Sequence, residues 1–305
     1  MYYIILDLEW NNAYAWKLQG AINEIIEFGA VKLDENLQEV DTFSSLVKSQ
    51  IGKKLMGRVK RLTNLTNADI SVGEPFNKVA SEFRKWVGTG DNIILTWGDG
   101  DIRVLLDNYR YFCVIEKIPF LTRYADLQKY YQKMHGLHAS RQIGLSDAAV
   151  RLEIDPTLYD THRALGDSLL SAECLRKAFD RDLLAGMTVC CDETFYSRLL
   201  FKPTVIKKLT NPSVDRKELF YTCENCGRKA KRLTEWKYSN QYFRAEFVCE
   251  PCDRKYRVGV RFKKYYDSID IRKTATLVLP GDDEECGCAD GEPEAGAADS
   301  AAEVN

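Results

Sequence analysis

The chain has 305 residues, 45% of them hydrophobic and 29% charged, a balance that suits one large globular domain or two smaller ones. No apolar run approaches the ~20 residues that span a bilayer, and the N-terminus lacks the basic start of a signal peptide, so no membrane partner is expected and a cytoplasmic location is. The net charge of −2 conceals an asymmetry: residues 200–273 hold 19 Lys and Arg against 9 Asp and Glu, whereas residues 274–305 hold nine acids and no base, and such a basic block suits a polyanion.

Along the chain, Ile4-Ile5-Leu6-Asp7-Leu8-Glu9-Trp10 reads as a buried β-strand, in which alternation sends Asp7 and Glu9 to the same face. Neighbouring buried carboxylates repel and lose hydration unless a cation sits between them. A wet edge strand is the plain explanation of a lone Asp-x-Glu; a hard divalent ion such as Mg²⁺ is the informative one. Residues 24–33 and 39–48 predict the next two strands, joined by a turn at 34–36. Residues 75–87 predict a helix with Phe76, Val79, Ala80, Phe83 and Val87 at core spacing, followed by a strand at 93–97 and a helix at 101–112. A strand at 120–127 leads into a helix near 129–134. Residues 145–152 predict another helix, and Asp160 or Thr161 is placed to cap the one running through Leu175. Three strands followed by alternating helices and strands predict an α/β domain with a mixed sheet over residues 1–185. Residues 186–218 read as a connector, 219–265 as a small aromatic and cysteine-bearing module, and 281–305 as a disordered acidic tail.

Three further positions give the opening acids a context. Asp101 follows a strand and opens a helix, where it can reach the sheet edge at which ligands of α/β folds collect; a helix N-cap is its alternative use, and Asp99 is its rival. Asp167 lies inside a helix and His162 at its entrance. Their five-residue separation is about 140° of helical rotation, so the pair can meet only if His162 belongs to the loop. Of the three histidines, His162 is the candidate proton-transfer group; His135 and His138 read as surface residues.

Ten cysteines without an export signal suggest thiols or metal sites. Cys223-x-x-Cys226 and Cys249-x-x-Cys252, with 22 residues between the pairs, predict one structural Zn²⁺ in a tetrahedral S₄ site, with iron as the competing metal. Between them, Trp236, Tyr238, Tyr242 and Phe243 alternate with Lys229, Lys231, Arg232, Lys237 and Arg244. Cations interleaved with aromatics suit single-stranded nucleic acid, unless the aromatics form the module's own core. Cys113 and Cys174 read as core thiols, Cys190 and Cys191 carry no assigned role, and Cys286 and Cys288 fall in the acidic tail.

Asp7-x-Glu9, Asp101-x-x-x-Leu105 and His162-x-Ala164-x-x-Asp167, in that order, resemble the DEDDh 3′→5′ exonucleases of the ribonuclease H-like superfamily. Residues 24–31 resemble that family's second strand. Residues 62–70 are similar to its Leu-Thr-Gly-Ile-Thr segment, with Asn64 in place of Gly, and residues 143–152 to its Gly-Leu-x-x-Ala-Leu helix. The resemblance spans residues 1–185 and looks closest to the KapD-like and Eri-type branch. It implies a ribonuclease H-like mixed five-stranded sheet with flanking helices, followed here by a β-rich zinc ribbon. It also implies two Mg²⁺ or Mn²⁺ ions, with Asp7 bridging them, Glu9 and Asp167 completing one site and Asp101 supporting the other. His162 would be the general base, and Leu8 and Trp10 would touch the terminal nucleotide, although Trp10 suits the core equally well. The implied reaction releases nucleoside 5′-monophosphates from single-stranded ends, RNA slightly favoured over DNA. A DNA proofreading-type exonuclease would share every one of these residues; a non-catalytic nucleic-acid-binding protein would not need all five. Protein partners and oligomeric state leave no signal.

Overall fold

A computed structural model describes residues 1–138 and 142–279, so the acidic tail with Cys286 and Cys288 lies outside the described residues. The described residues divide into two compact units, one ending at Leu200 and the other beginning at Phe201. Among the described residues no helix is long and apolar enough to cross a membrane.

In the first unit, β1 (Tyr2–Ala15) and β2 (Gly20–Leu33) form a long antiparallel ribbon whose register shifts after Glu9. β3 (Glu39–Leu46) pairs with the outer side of β2. On the other side, β4 (Asn92–Thr96) runs parallel to β1, and β5 (Arg123–Asp126) runs parallel to β4. The five expected strands are therefore present, and a sixth, β6 (Val189–Cys190), pairs antiparallel with β5, giving the order β3-β2-β1-β4-β5-β6. β5 is shorter than its apolar run because the chain turns at Ile118–Leu121, where the Leu121 N–H donates to the Ile118 carbonyl.

Strand alternation sorts the apolar residues into two cores. Ile4, Leu6, Leu8 and Phe28 face Phe76, Val79 and Phe83 of the helix Phe76–Val87 and Ile102 and Leu105 of the helix Gly100–Asn108. Tyr3, Ile5, Val31 and Leu33 face Ala172 and Leu175 of the helix Ala164–Lys177. Asp7 and Glu9 continue the parity of Tyr3 and Ile5, so alternation carries them to the second face. The helix expected over 101–112 is α-helical through Asn108 and continues as one π-turn, Tyr109–Cys113, which ends at a left-handed Val114. The helix Ala164–Lys177 starts later than an Asp160 or Thr161 cap requires: Arg163 holds the N-cap position, with no side-chain cap bond.

That helix packs unusually close to the sheet. A Cβ on Gly29 would lie 2.0 Å from the Ala164 carbonyl carbon, and the Ser168 hydroxyl donates to the Gly29 carbonyl at 2.9 Å. Gly29→Ala is therefore expected to cost about 3 kcal/mol by overpacking and to displace the helix that carries Asp167. Chemical denaturation measures the first effect; unchanged stability would mean that the contact relaxes freely.

Two parts of the expected connector are ordered. β6 joins the first sheet, and the helix Glu193–Leu200 buries Tyr196 and Leu199 in the first unit. The second unit then extends past both ends of the expected module. Its β7 (Thr204–Val205) and β12 (Ile269–Leu277) both pair with β11 (Arg254–Lys264), because an eleven-residue strand exposes more backbone donors and acceptors than β10 (Tyr242–Cys249) satisfies. The short β8 (Lys231–Arg232) and β9 (Lys237–Ser239) complete β10. Phe243, Phe247, Val258, Val260 and Phe262 form the core, with Trp236 and Tyr238 packed against it.

Candidate active site

The register of β1 and β2 sets Asp7 opposite Gly29 and Glu9 opposite Glu27. Gly29 lets the N-terminal turn of the helix Ala164–Lys177 approach, and that turn delivers Asp167. Carboxylate oxygens of Asp7, Glu9 and Asp167 consequently lie within 4.8 Å of one another. Asp101 stands beside this trio without belonging to it. It is 5% exposed, and its Oδ1 accepts the Leu8 N–H at 3.0 Å, which ties the first turn of its helix to β1. Asp99 takes the N-cap position instead; burial pushes its carboxyl up, but the hydrogen bond and charge of Arg103 outweigh that and hold it below the usual range.

The four acids are held above the ordinary carboxylate range. Burial raises Asp7 most, followed by the charges of Asp101, Asp167, Glu9 and Glu27. Burial and then Asp167, Glu27 and Asp101 push Glu9 up to about 8. Burial also lifts Asp101 to about 7 against the Leu8 hydrogen bond, and raises Asp167 against the His162 hydrogen bond. Arg163, whose charge eases Glu9, is already committed elsewhere: its Nε and Nη2 donate to both oxygens of Glu27 at 3.0 and 2.6 Å. Converging carboxylates short of positive charge are the donor set of a hard divalent cation, and these side chains fit one.

No motif in the sequence points to the Glu27–Arg163 pair; the one available signal is an acid inside the apolar run Ile25-Ile26-Glu27-Phe28. Glu27 is 1% exposed and also accepts the Ala164 N–H, so the pair clamps the entrance of the helix to β2. Arg163→Ala leaves that carboxylate buried without its cation and is expected to cost about 3 kcal/mol, read from a denaturation midpoint. A shift below a few tenths of that would show Glu27 finding another partner.

His162 lies in the loop before the helix, exposed and in the left-handed region at φ 64°, and its backbone N–H donates to Asp167 Oδ2 at 3.1 Å. A non-glycine residue held in that conformation next to a site is a local strain of about 1 kcal/mol. The Leu8 side chain, at 2% exposure, belongs to the core. Trp10 is half-buried against the same core cluster.

In the second unit the Sγ atoms of Cys223, Cys226, Cys249 and Cys252 all lie within 4.8 Å of one another, with 3.4 Å between Cys226 and Cys249 and 4.0 Å between Cys223 and Cys252. Zn–S bonds of about 2.3 Å in a tetrahedron require sulfur separations near 3.8 Å, so the thiols fit the ion. The first knuckle is shaped by Gly227 at φ 68°, whose N–H donates to the Cys223 carbonyl. In the second, a 3-10 turn from Glu250 to Cys252 ends at a left-handed Asp253. The Asn225 side-chain amide donates to Cys252 Sγ at 3.3 Å, a typical outer contact to a metal thiolate. Of the other described cysteines, Cys174 is buried, Cys113 and Cys191 are half-buried, and Cys190 is exposed on β6.

The family model described as Exonuclease (RNase T) matches residues 4–175. "Probable 3'-5' exonuclease KapD" of Bacillus subtilis (strain 168) is 30% identical over 167 residues, 54% of this chain and 77% of that protein. A solved structure described as "3'-end specific recognition of histone mRNA stem-loop by 3'-exonuclease" is 20% identical, covering 63% of this chain and 91% of that one at a TM-score of 0.51. A "full-length 3'-exonuclease" is also 20% identical, covering 63% and 67% at 0.51. At that identity the likeness is one of fold, a ribonuclease H-like mixed sheet with flanking helices.

Proposed function

The chain belongs to the exonuclease family through residues 4–175, and from that premise we propose that it trims single-stranded nucleic acid from the 3′ end and releases nucleoside 5′-monophosphates. The observation that carries the reading is the convergence of Asp7, Glu9 and Asp167 within 4.8 Å in a site short of positive charge. Asp7, Glu9, Asp167 and Asp101 would hold two Mg²⁺ or Mn²⁺ ions. When bound, such ions lower the pKa of a coordinated water and stabilise the negative charge that develops on phosphate and leaving oxygen. His162, exposed at the loop end, takes the proton from the attacking water. Asp167 accepts the His162 N–H and so ties the base to the acids, while Glu27 and Arg163 fix the helix entrance that carries both. The resemblance to the KapD-like and Eri-type branch favours RNA over DNA; a proofreading-type DNA exonuclease would use the same residues. One structural Zn²⁺ in the Cys₄ site would hold the second unit together.

Matched RNA and DNA oligonucleotides, labelled at the 5′ end and incubated with Mn²⁺, test the reading. A ladder shortening from the 3′ end, nucleoside 5′-monophosphates as product and faster loss of RNA are expected. Internal cuts or products ending in 3′-phosphate would overturn it, and binding without shortening would return the protein to the non-catalytic alternative.

The raised carboxyls also set a pH dependence. Glu9 is pushed from its ordinary 4.5 up to about 8, and Asp101 from 3.8 to about 7. The folded protein therefore binds more protons than the unfolded chain across that window. Without divalent ions, this contribution is fully present below the ordinary values and is lost as pH rises through about 8. Mg²⁺ binds the ionised forms and displaces the protons, so the rise in melting temperature on adding Mg²⁺ should grow from pH 6 to pH 8. An increment independent of pH would show that the metal does not engage these acids.

A further inference from the structure

The aromatics between the cysteine knuckles do not share one fate. Phe243 is 3% exposed, and Trp236 and Tyr238 pack against the same core. Tyr242 has the opposite parity on β10 and faces away from it. The pairing register shows what accompanies Tyr242. Across the sheet, Lys237 of β9, Arg244 of β10, Gly259 of β11 and Thr274 of β12 form one row. Arg261 pairs with Arg272 in the next row, and Lys263 with Asp270 beyond it. Directly opposed residues share a face, so the side of the sheet away from the core carries Lys237, Arg244, Arg257, Arg261, Lys263 and Arg272 against two acids, Glu246 and Asp270.

Tyr242 sits at the centre of this face. The guanidinium carbons of Arg244 and Arg261 lie 5.4 and 5.6 Å from its ring centroid. Gly259 makes room for it: a Cβ there would come 3.3 Å from the Tyr242 ring and 2.8 Å from the Thr274 hydroxyl. The local acids neutralise the cations only loosely, with Arg257 3.7 Å from Glu246, and Arg261 and Arg272 3.6 and 3.4 Å from Asp270. Arg261 Nε is buried without a hydrogen-bond partner among the described residues. A sheet face of this kind offers an evenly spaced set of charges for phosphates, with an aromatic ring and planar guanidinium groups against which bases stack.

We propose that this open face of β9–β12, centred on Tyr242, Arg244, Arg261 and Arg272, binds single-stranded nucleic acid. The inference rests on the exonuclease reading only in its choice of a nucleic-acid strand as the polyanion. Single-stranded phosphates meet the cations while unpaired bases stack on Tyr242 and the arginines; a duplex, whose bases are already stacked inside it, gains only the charge.

The test uses the full chain carrying Asp7→Asn, to block hydrolysis, and a fluorescein-labelled single-stranded RNA read by anisotropy. Arg244→Gln/Arg261→Gln/Arg272→Gln should weaken binding at least tenfold and flatten the dependence of log K on log salt by about two units, at roughly 0.7 for each phosphate no longer neutralised. Bound zinc and the melting transition report whether the triple variant still folds. Arg272→Glu alone, at an exposed position, should lower affinity severalfold and keeps the test informative if the triple variant does not fold. Affinity unchanged in both variants would overturn the proposal. So would equal binding of a matched duplex, or displacement of the RNA by polyglutamate at equal charge, the result expected of a face built for acidic proteins. Hydrolysis is scored separately in chains with Asp7 intact. If cleavage fails while binding still depends on the arginines, the exonuclease reading falls and the face stands; cleavage with arginine-independent binding gives the reverse.

Discussion

Asp7→Asn is expected to lower the rate of 3′-end hydrolysis by about a thousandfold, on the order of 4 kcal/mol of transition-state stabilisation, while raising the stability of the metal-free protein. The two effects have one cause. Asp7 is held above the ordinary carboxylate range by burial and then by Asp101, Asp167, Glu9 and Glu27, so replacing it with a neutral isostere relieves repulsion in a site without metal. The same change removes a proposed metal ligand, and with it the stabilisation expected from Mg²⁺. Gel ladders with Mn²⁺ and thermal melts with and without chelator read both quantities. A residue that matters only for folding would lower rate and melting temperature together; full activity in Asp7→Asn would remove Asp7 from the chemistry altogether.

Losing the metal proposed for the Cys₄ site is expected to unfold the second unit and spare the first. The core of the second unit is small: Phe243, Phe247, Val258 and Phe262 of the sheet pack with Ile206, Val214 and Tyr221 from the segments before it. Cys249, 0% exposed, ends β10, and the turn that follows joins it to β11. An S₄ zinc site contributes about 10–16 kcal/mol of apparent binding free energy, as much as the whole stability of a typical domain, and a small module without it falls below threshold. Cys249→Ala, or a high-affinity chelator, should therefore abolish hydrogen-exchange protection in β10 and β11 and leave that of β1, β2 and β4 intact. Protection surviving in β10 would fail the prediction and make the cysteines dispensable to the fold.

Both sites are legible in the sequence to different depths. The two Cys-x-x-Cys pairs need no fold to be recognised, because each knuckle is a local turn and four thiols have few other uses at such spacing. Asp7 and Glu9 are readable as a same-face pair because alternation is a local rule. The Glu27–Arg163 clamp is not readable: it joins residues far apart in the chain, and each alone is an ordinary charged residue. For Leu8 the resemblance implies a substrate contact, and alternation sends its side chain into the first core while the two acids take the other face. The added β6 and the longer second sheet escape for a related reason, since a two-residue strand has no periodicity and β12 is recognised by the edge of β11 that it covers.

The sequence by itself determined the strand that carries Asp7 and Glu9, the cysteine pairs, the charge asymmetry and the resemblance to the exonucleases, all of them written in residue type and short spacing. The tertiary structure alone decided that Asp167 meets Asp7 and Glu9, that Asp101 stands beside them on a hydrogen bond from Leu8, and that the cations of the second unit gather around Tyr242 on one face. Those outcomes depend on register and on the close approach at Gly29. Alternation fixes which side of a strand a residue takes, but only packing between distant segments fixes what it finds there.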